Sequence, residues 1–201
     1  MKMYRAVPQA TFKDSTVYKR HASRRTPTNV PFLVDNIWEW LRPDGAPSRR
    51  HSAYASPTPE LALANASAAG TDPSLYVVCE IVVSGQDGDE KFKLAHLKVT
   101  DARRHDDISA IIRHVAAAHG SGFSNLSLAL KSAHAGLYLP TVSKEEMEAY
   151  FQSSDEAARL GRELRELSTF WKDASWTPQE HDGELFFELA PGTSYQLQPL
   201  P

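Results

Sequence analysis

The apolar positions of this chain recur at two periods, and each period marks its own kind of element. Residues 30–43, VPFLVDNIWEWLRP, carry apolar side chains at 33, 34, 37, 38, 40 and 41, a helical recurrence that Pro43 closes. A second helix is predicted over 58-TPELALANASAAG-70, where Thr58 suits the N-cap, Pro59 the first helical position and Gly70 the stop. A third, 106-DDISAIIRHVAAAHG-120, opens on acidic residues and closes on His119 and Gly120, as the helix dipole favours. Residues 143–173 read as one long or broken helix: Ser143 and Glu146 make a capping box, and 156-EAARLGRELRELSTFW-171 is amphipathic.

Strands are read from shorter runs. Residues 3–8, MYRAVP, predict a strand stopped by Pro8, and HSAYAS (51–56) a strand leading straight into the helix at 58. The runs 75-LYVVCEIVVSG-85 and 91-KFKLAHLKVTD-101 predict two strong strands, and the hydrophilic 86-QDGDE-90 between them predicts a hairpin. Two more, 183-GELFFEL-189 and 193-TSYQLQPL-200, are joined by the turn Ala190-Pro191-Gly192. Residues 9–28 are polar and basic with no clear period and read as a loop, and Asp44-Gly45 makes a turn. Strands and helices do not alternate regularly, so a doubly wound parallel sheet is excluded. The order predicts an α+β fold of mixed or antiparallel sheets flanked by helices.

Length allows one domain over 1–201, with a helical segment around 143–173. The 41 % hydrophobic and 23 % charged content is that of a globular chain, and a net charge of -3 argues against nucleic-acid binding driven by bulk charge. Basic residues still cluster locally, in 19-KRHASRR-25 and 49-RRH-51. The one cysteine, Cys79, sits in an apolar run, which predicts a buried thiol and excludes an internal disulfide. Neither a signal core nor an apolar run of membrane-spanning length is present, so the expectation is a cytoplasmic protein, or one delivered into or made in a host cell. The eight histidines show no pair at metal-ligand spacing, and no metal is expected. Trp38 and Trp40 are expected in the core rather than on a base-stacking platform.

The stretch 48-SRRHSAYASPTPELALANA-66 sets cations, an aromatic ring and hydroxyls around the start of a helix, an arrangement that suits an anion or a ribose. Its plainer reading is an ordinary strand-to-helix connection with solvated arginines. Arg5 stands among apolar neighbours on the first strand, where an arginine is costly unless paired or exposed at an edge. Glu184 and Glu188 alternate with Phe186 on one face of the late strand, while Leu185, Phe187 and Leu189 line the other.

Taken in order, a first-strand Arg5, Tyr54-Ala55-Ser56 entering a helix, and a late glutamate before APGTSYQL resemble the ADP-ribosyltransferase family of the arginine-serine-glutamate class. The stretch 48–66 is similar to the form of small bacterial and phage members. The resemblance implies an NAD-binding cleft between sheets, with NAD as substrate. It implies transfer of ADP-ribose to a macromolecular acceptor, a protein ahead of a nucleic acid, by an effector, toxin or phage modifier. Carried over, Arg5 holds the phosphates, His51, Ser52, Tyr54 and Ser56 shape the cofactor pocket, and Glu184 is catalytic. His51 beside Tyr54 is similar to the histidine-tyrosine class, so Arg5 and His51 compete as anchors. The full Ser-Thr-Ser triplet is absent, and Asp182 stands where arginine-modifying enzymes carry Glu or Gln. Two rival readings stay open: an NAD-degrading toxin of the arginine-glutamate-serine type, for whose catalytic glutamate near the middle of the chain Glu80 is the only strand candidate, and a non-catalytic binding or inhibitory module on the same fold.

Overall fold

The computed structural model describes residues 2–20, 26, 30–66, 72–85, 91–119, 134–177, 179 and 182–201. Gly70, Gly120, the turn 86–90, the basic residues 21–25 and part of 177–183 lie outside the described residues. The chain divides into two compact units: one of Met1–Ser23, Gly45–Ala102 and Ala174–Pro201, the other of Arg24–Asp44 and Arg103–Asp173.

The first unit holds two antiparallel sheets. One has four strands in the order β1 (Tyr4–Pro8), β4 (Tyr76–Ser84), β7 (Ser194–Pro199), β2 (Val17–Lys19). The other has three, in the order β3 (Ala53–Ala55), β6 (Leu185–Leu189), β5 (Phe92–His96). The α+β expectation therefore holds at the level of class. Cys79, Ile81, Tyr195 and Leu197 of the first sheet and Ala55, Leu185, Phe187 and Leu189 of the second belong to one apolar cluster. Cys79 is fully buried in it, as its apolar surroundings predict. Helix α2 (Pro59–Ala66) packs against β1 and β4, with the Thr58 hydroxyl accepting from the Leu61 amide at 3.2 Å as an N-cap does.

Two expectations are corrected. The runs 75–85 and 91–101 form no hairpin: β4 pairs with β1 and β7, whereas β5 pairs only with β6. Each finds its partners far away in sequence, which a local turn signal cannot reveal. The region read as a loop over 9–28 contains a short 3-10 turn, Gln9–Thr11, and strand β2, held by its register against β7.

The second unit is helical: α1 (Phe32–Trp40), α3 (Asp107–His119), α4 (Lys144–Phe151) and α5 (Asp155–Leu167). The region 143–173 is thus broken at 152–154, and its helix stops at Leu167, so the expected extension over 168–173 is corrected: Ser168, Thr169 and Phe170 leave the helix to bond the Asp107 carboxylate. Ser143 and Glu146 make the expected reciprocal capping box, at 3.1 and 2.7 Å. Trp38 and Trp40 are core residues, with Trp38 stacked on Phe170 at a centroid distance of 4.0 Å. Its indole N–H donates to the buried carboxylate of Asp107 at 2.9 Å. Among the described residues no helix is long and apolar enough to cross a membrane.

Candidate functional site

The first strand, the Tyr-Ala-Ser segment and the late glutamate strand lie side by side in the first unit. Tyr4 and Ser56 exchange two backbone hydrogen bonds, at 2.9 and 2.8 Å, and so stitch β1 to the end of β3. Strand β3 in turn pairs with β6, with Ala55 opposite Leu185. Ser56 and Glu184 are the next residues along that register, each just past the end of its strand. Residues more than a hundred positions apart therefore meet at one end of the β3–β6 pair.

Alternation divides the expected residues between two faces. Ala53, Ala55 and Phe187 point into the apolar cluster, and Arg5, opposite Cys79 in register, shares that side. The Arg5 guanidinium reaches the Tyr195 hydroxyl at 3.4 Å. Tyr54, Ser56, Glu184 and Glu188 belong to the other face. There Arg49 lies over the rings of Tyr54 and Phe186, at 5.4 and 5.8 Å. Arg49 and Arg50 are only 4 % and 3 % exposed, so the plain reading of them as solvated arginines is corrected. The Arg49 guanidinium takes part in this packing, which arginine tolerates better than lysine.

Ser56 is buried, and its hydroxyl accepts from the Asn65 amide at 3.4 Å, while the same amide donates to the Thr100 carbonyl at 3.0 Å. Asn65 was not singled out in the sequence. The helical spacing from Thr58 was the signal available, since it returns residue 65 toward the strand end. Ser52 is fully buried, and its hydroxyl donates to the Ser48 carbonyl at 2.6 Å, a bond that shapes the loop.

Glu184 is fixed at three points. Its amide donates to the Val99 carbonyl at 2.8 Å, and its carbonyl accepts from the Leu97 amide at 2.9 Å. Its carboxylate accepts from the Ala102 amide at 2.8 Å. Just before it, the Gly183 carbonyl lies 3.1 Å from Nε2 of the fully buried His96, whose Nδ1 accepts from the Gln179 amide at 3.0 Å. An accepting Nδ1 leaves the proton on Nε2, so His96 clamps the backbone that leads into Glu184.

Glu188 sits at the opposite end of β6, roughly 13 Å away at strand rise. Burial pushes its pKa up, but the Ser48 amide at 2.8 Å, the Arg20 guanidinium and the charge of His51 outweigh burial and hold it below the ordinary carboxylate value. His51 lies at this end as well, lining a cavity of about 220 Å³ with Arg20, Tyr18 and Tyr195. Arg5 and His51, competitors in sequence, both approach Tyr195: the Arg5 guanidinium reaches its hydroxyl, and His51 lines the cavity that its ring walls.

No family model, curated protein or solved structure matches this chain. Chemistry must therefore be argued from these residues alone. Glu80 pairs with the exposed Lys2 at 3.0 Å, on a strand whose register sets it against Tyr4. Among the described residues no group of three or more metal-ligating side chains is assembled.

Proposed function

We propose that this protein is a mono-ADP-ribosyltransferase, carrying ADP-ribose from NAD to a macromolecular acceptor. The observation that supports the reading is the Tyr4–Ser56 bridge together with the β3–β6 pairing. These set the strand that carries Arg5 beside the Tyr-Ala-Ser segment, whose Ser56 stands next to Glu184 at the end of the β3–β6 pair.

Breaking the nicotinamide–ribose bond builds positive charge on the ribose, as in glycoside cleavage. Glu184 supplies the opposing carboxylate, and its three backbone anchors let it act without reorganising. Arg5 offers a guanidinium for a phosphate, and Tyr54 an aromatic face for the nicotinamide ring. The acceptor attacks the ribose carbon as nicotinamide leaves with the bond electrons, and its proton passes to solvent or to Glu184.

The test is incubation with NAD labelled in its adenylate half, with a cell lysate as acceptor. Protease and nuclease digestion then show which polymer carries the label. Glu184→Gln is expected to lower turnover at least ~100-fold, the loss of one preorganised electrostatic group. Glu188→Gln should lower it far less. The reverse ranking would move the chemistry to the other end of β6, and a wild-type protein that neither binds nor consumes NAD at millimolar concentration refutes the reading.

A further inference from the structure

The Leu189 end of β6 carries a second constellation that no motif announces. The 220 Å³ cavity lies between β2 and β7 on one side and β3 and β6 on the other. Its apolar wall includes Tyr18, Tyr195 and Phe187, with Tyr18 and Tyr195 stacked at 4.8 Å and 12°. Lys19 and Arg20 also line it, two cations on a chain whose net charge is -3, with the His51 ring beside them. A neighbouring hollow of about 210 Å³ shares Arg20 and Leu189 with it and adds Lys93. The cavity falls below the roughly 300–1,000 Å³ of sites that enclose a drug-sized ligand. It therefore takes one ring system, with the rest of the ligand outside.

Arg20 is built for this place. Its Nε and Nη2 both donate to a single oxygen of Glu188, at 3.1 and 2.5 Å, while the other oxygen is tied to the Ser48 amide. Nη1 takes no part in that pair, so the Nη1–Nη2 edge is left as a fork of the kind that meets phosphate with two bonds. An aromatic wall beside an oriented guanidinium and a lysine matches a phosphorylated aromatic ligand better than a plain apolar one or a bare anion.

We propose that this cavity binds the base and phosphate of a nucleotide, the base on the wall built by Tyr18 and Tyr195 and the phosphate on Arg20. Glu188 is a positioning residue that acts through Arg20. The choice of adenylate as the nucleotide rests on the ADP-ribose reading above, in which this site takes the end of NAD remote from the reacting ribose.

The experiment is an NMR titration of the whole chain with AMP, adenosine and inorganic phosphate as separate probes. AMP is expected to bind at least tenfold more tightly than adenosine. Arg20→Gln removes that advantage and leaves adenosine binding as it was, whereas Tyr18→Ala weakens both. Glu188→Gln weakens AMP binding, and the Arg20→Gln/Glu188→Gln double variant binds no worse than Arg20→Gln alone. Unchanged melting temperatures guard against lost folding; should Glu188→Gln not fold, Arg20→Gln decides by itself. Absence of AMP binding at millimolar concentration, or an Arg20→Gln variant that keeps AMP or loses adenosine equally, overturns the site. AMP binding without any consumption of NAD refutes the transferase reading and leaves the site standing.

Discussion

Replacing Asp107 by asparagine tests whether one buried carboxylate organises the helical unit. Its two oxygens accept from five donors: the Trp38 indole, the Ser168 hydroxyl, the Thr169 amide and hydroxyl, and the Phe170 amide. The group is only 2 % exposed. Asparagine keeps the shape but turns one acceptor into a donor, so at least one buried N–H faces another donor, and two do if the amide nitrogen takes the place of the oxygen bound by Trp38 and Phe170. Hydrogen bonds to a charged group contribute about 1.5–3 kcal/mol each and do not add fully. Disrupting such a network costs on the order of 3–4 kcal/mol, a large share of the roughly 5–15 kcal/mol that holds a domain folded. Urea denaturation followed by tryptophan fluorescence reads it directly, since Trp38 is both a donor to Asp107 and stacked on Phe170. A loss below about 1 kcal/mol refutes the argument. The pH dependence adds a sign. Burial raises the Asp107 pKa, but the bonds from Ser168, Thr169 and Trp38 and the nearby His105 overcome it and hold it below the ordinary value. A depressed folded pKa means the contribution is complete above the unfolded value of about 3.9 and fades as pH falls through the folded one. The gap between wild type and Asp107→Asn should therefore narrow on acidification below about pH 4.

Ser143→Ala removes one half of the capping box that starts α4 and should cost about 1 kcal/mol in thermal or urea unfolding. Gly161→Ala puts a methyl 3.0 Å from the Phe151 ring, so overpacking of about 1–3 kcal/mol outweighs the roughly 1 kcal/mol gained in helix propensity, and calorimetry should show a lower melting temperature. Burial, helped by the charge of Asp14, raises the Cys79 pKa. A thiol reagent at neutral pH should therefore label the native chain about 100-fold more slowly than the urea-unfolded one, and equal rates would contradict the burial.

Local chemistry was legible in this sequence, and long-range pairing was not. The Ser143 box, the Thr58 cap and the core tryptophans are announced by neighbours three or four residues away, and all three appear where expected. Strand β2 escaped because Val17–Lys19 is too short to show a period and exists through its pairing with β7, some 177 residues on. The apparent hairpin over 75–101 failed for a related reason: β1, β6 and β7 compete successfully for its two strands. Period-two alternation put Leu185, Phe187 and Leu189 on the apolar side, yet it could not say that Glu188 meets Arg20 and Ser48 while Glu184, just before the strand, meets Ala102. Arg20 itself lay in a stretch read as featureless, because an arginine after three residues of strand carries no signal until its partner 168 positions later is known.

Strand β7 occupies an interior place in its sheet, between β4 and β2, although among the described strands it is made last. On a ribosome, β1 can dock on β4 as soon as residue 84 has emerged. The opposite edge of β4, YVVCEIVVS, then waits for more than a hundred further residues before Ser194–Pro199 arrives to cover it. An apolar strand with one open edge is a ready template for pairing with another chain. Until then the open edge of β4 is exposed to mispairing, a hazard set by the order of synthesis rather than by the stability of the finished sheet.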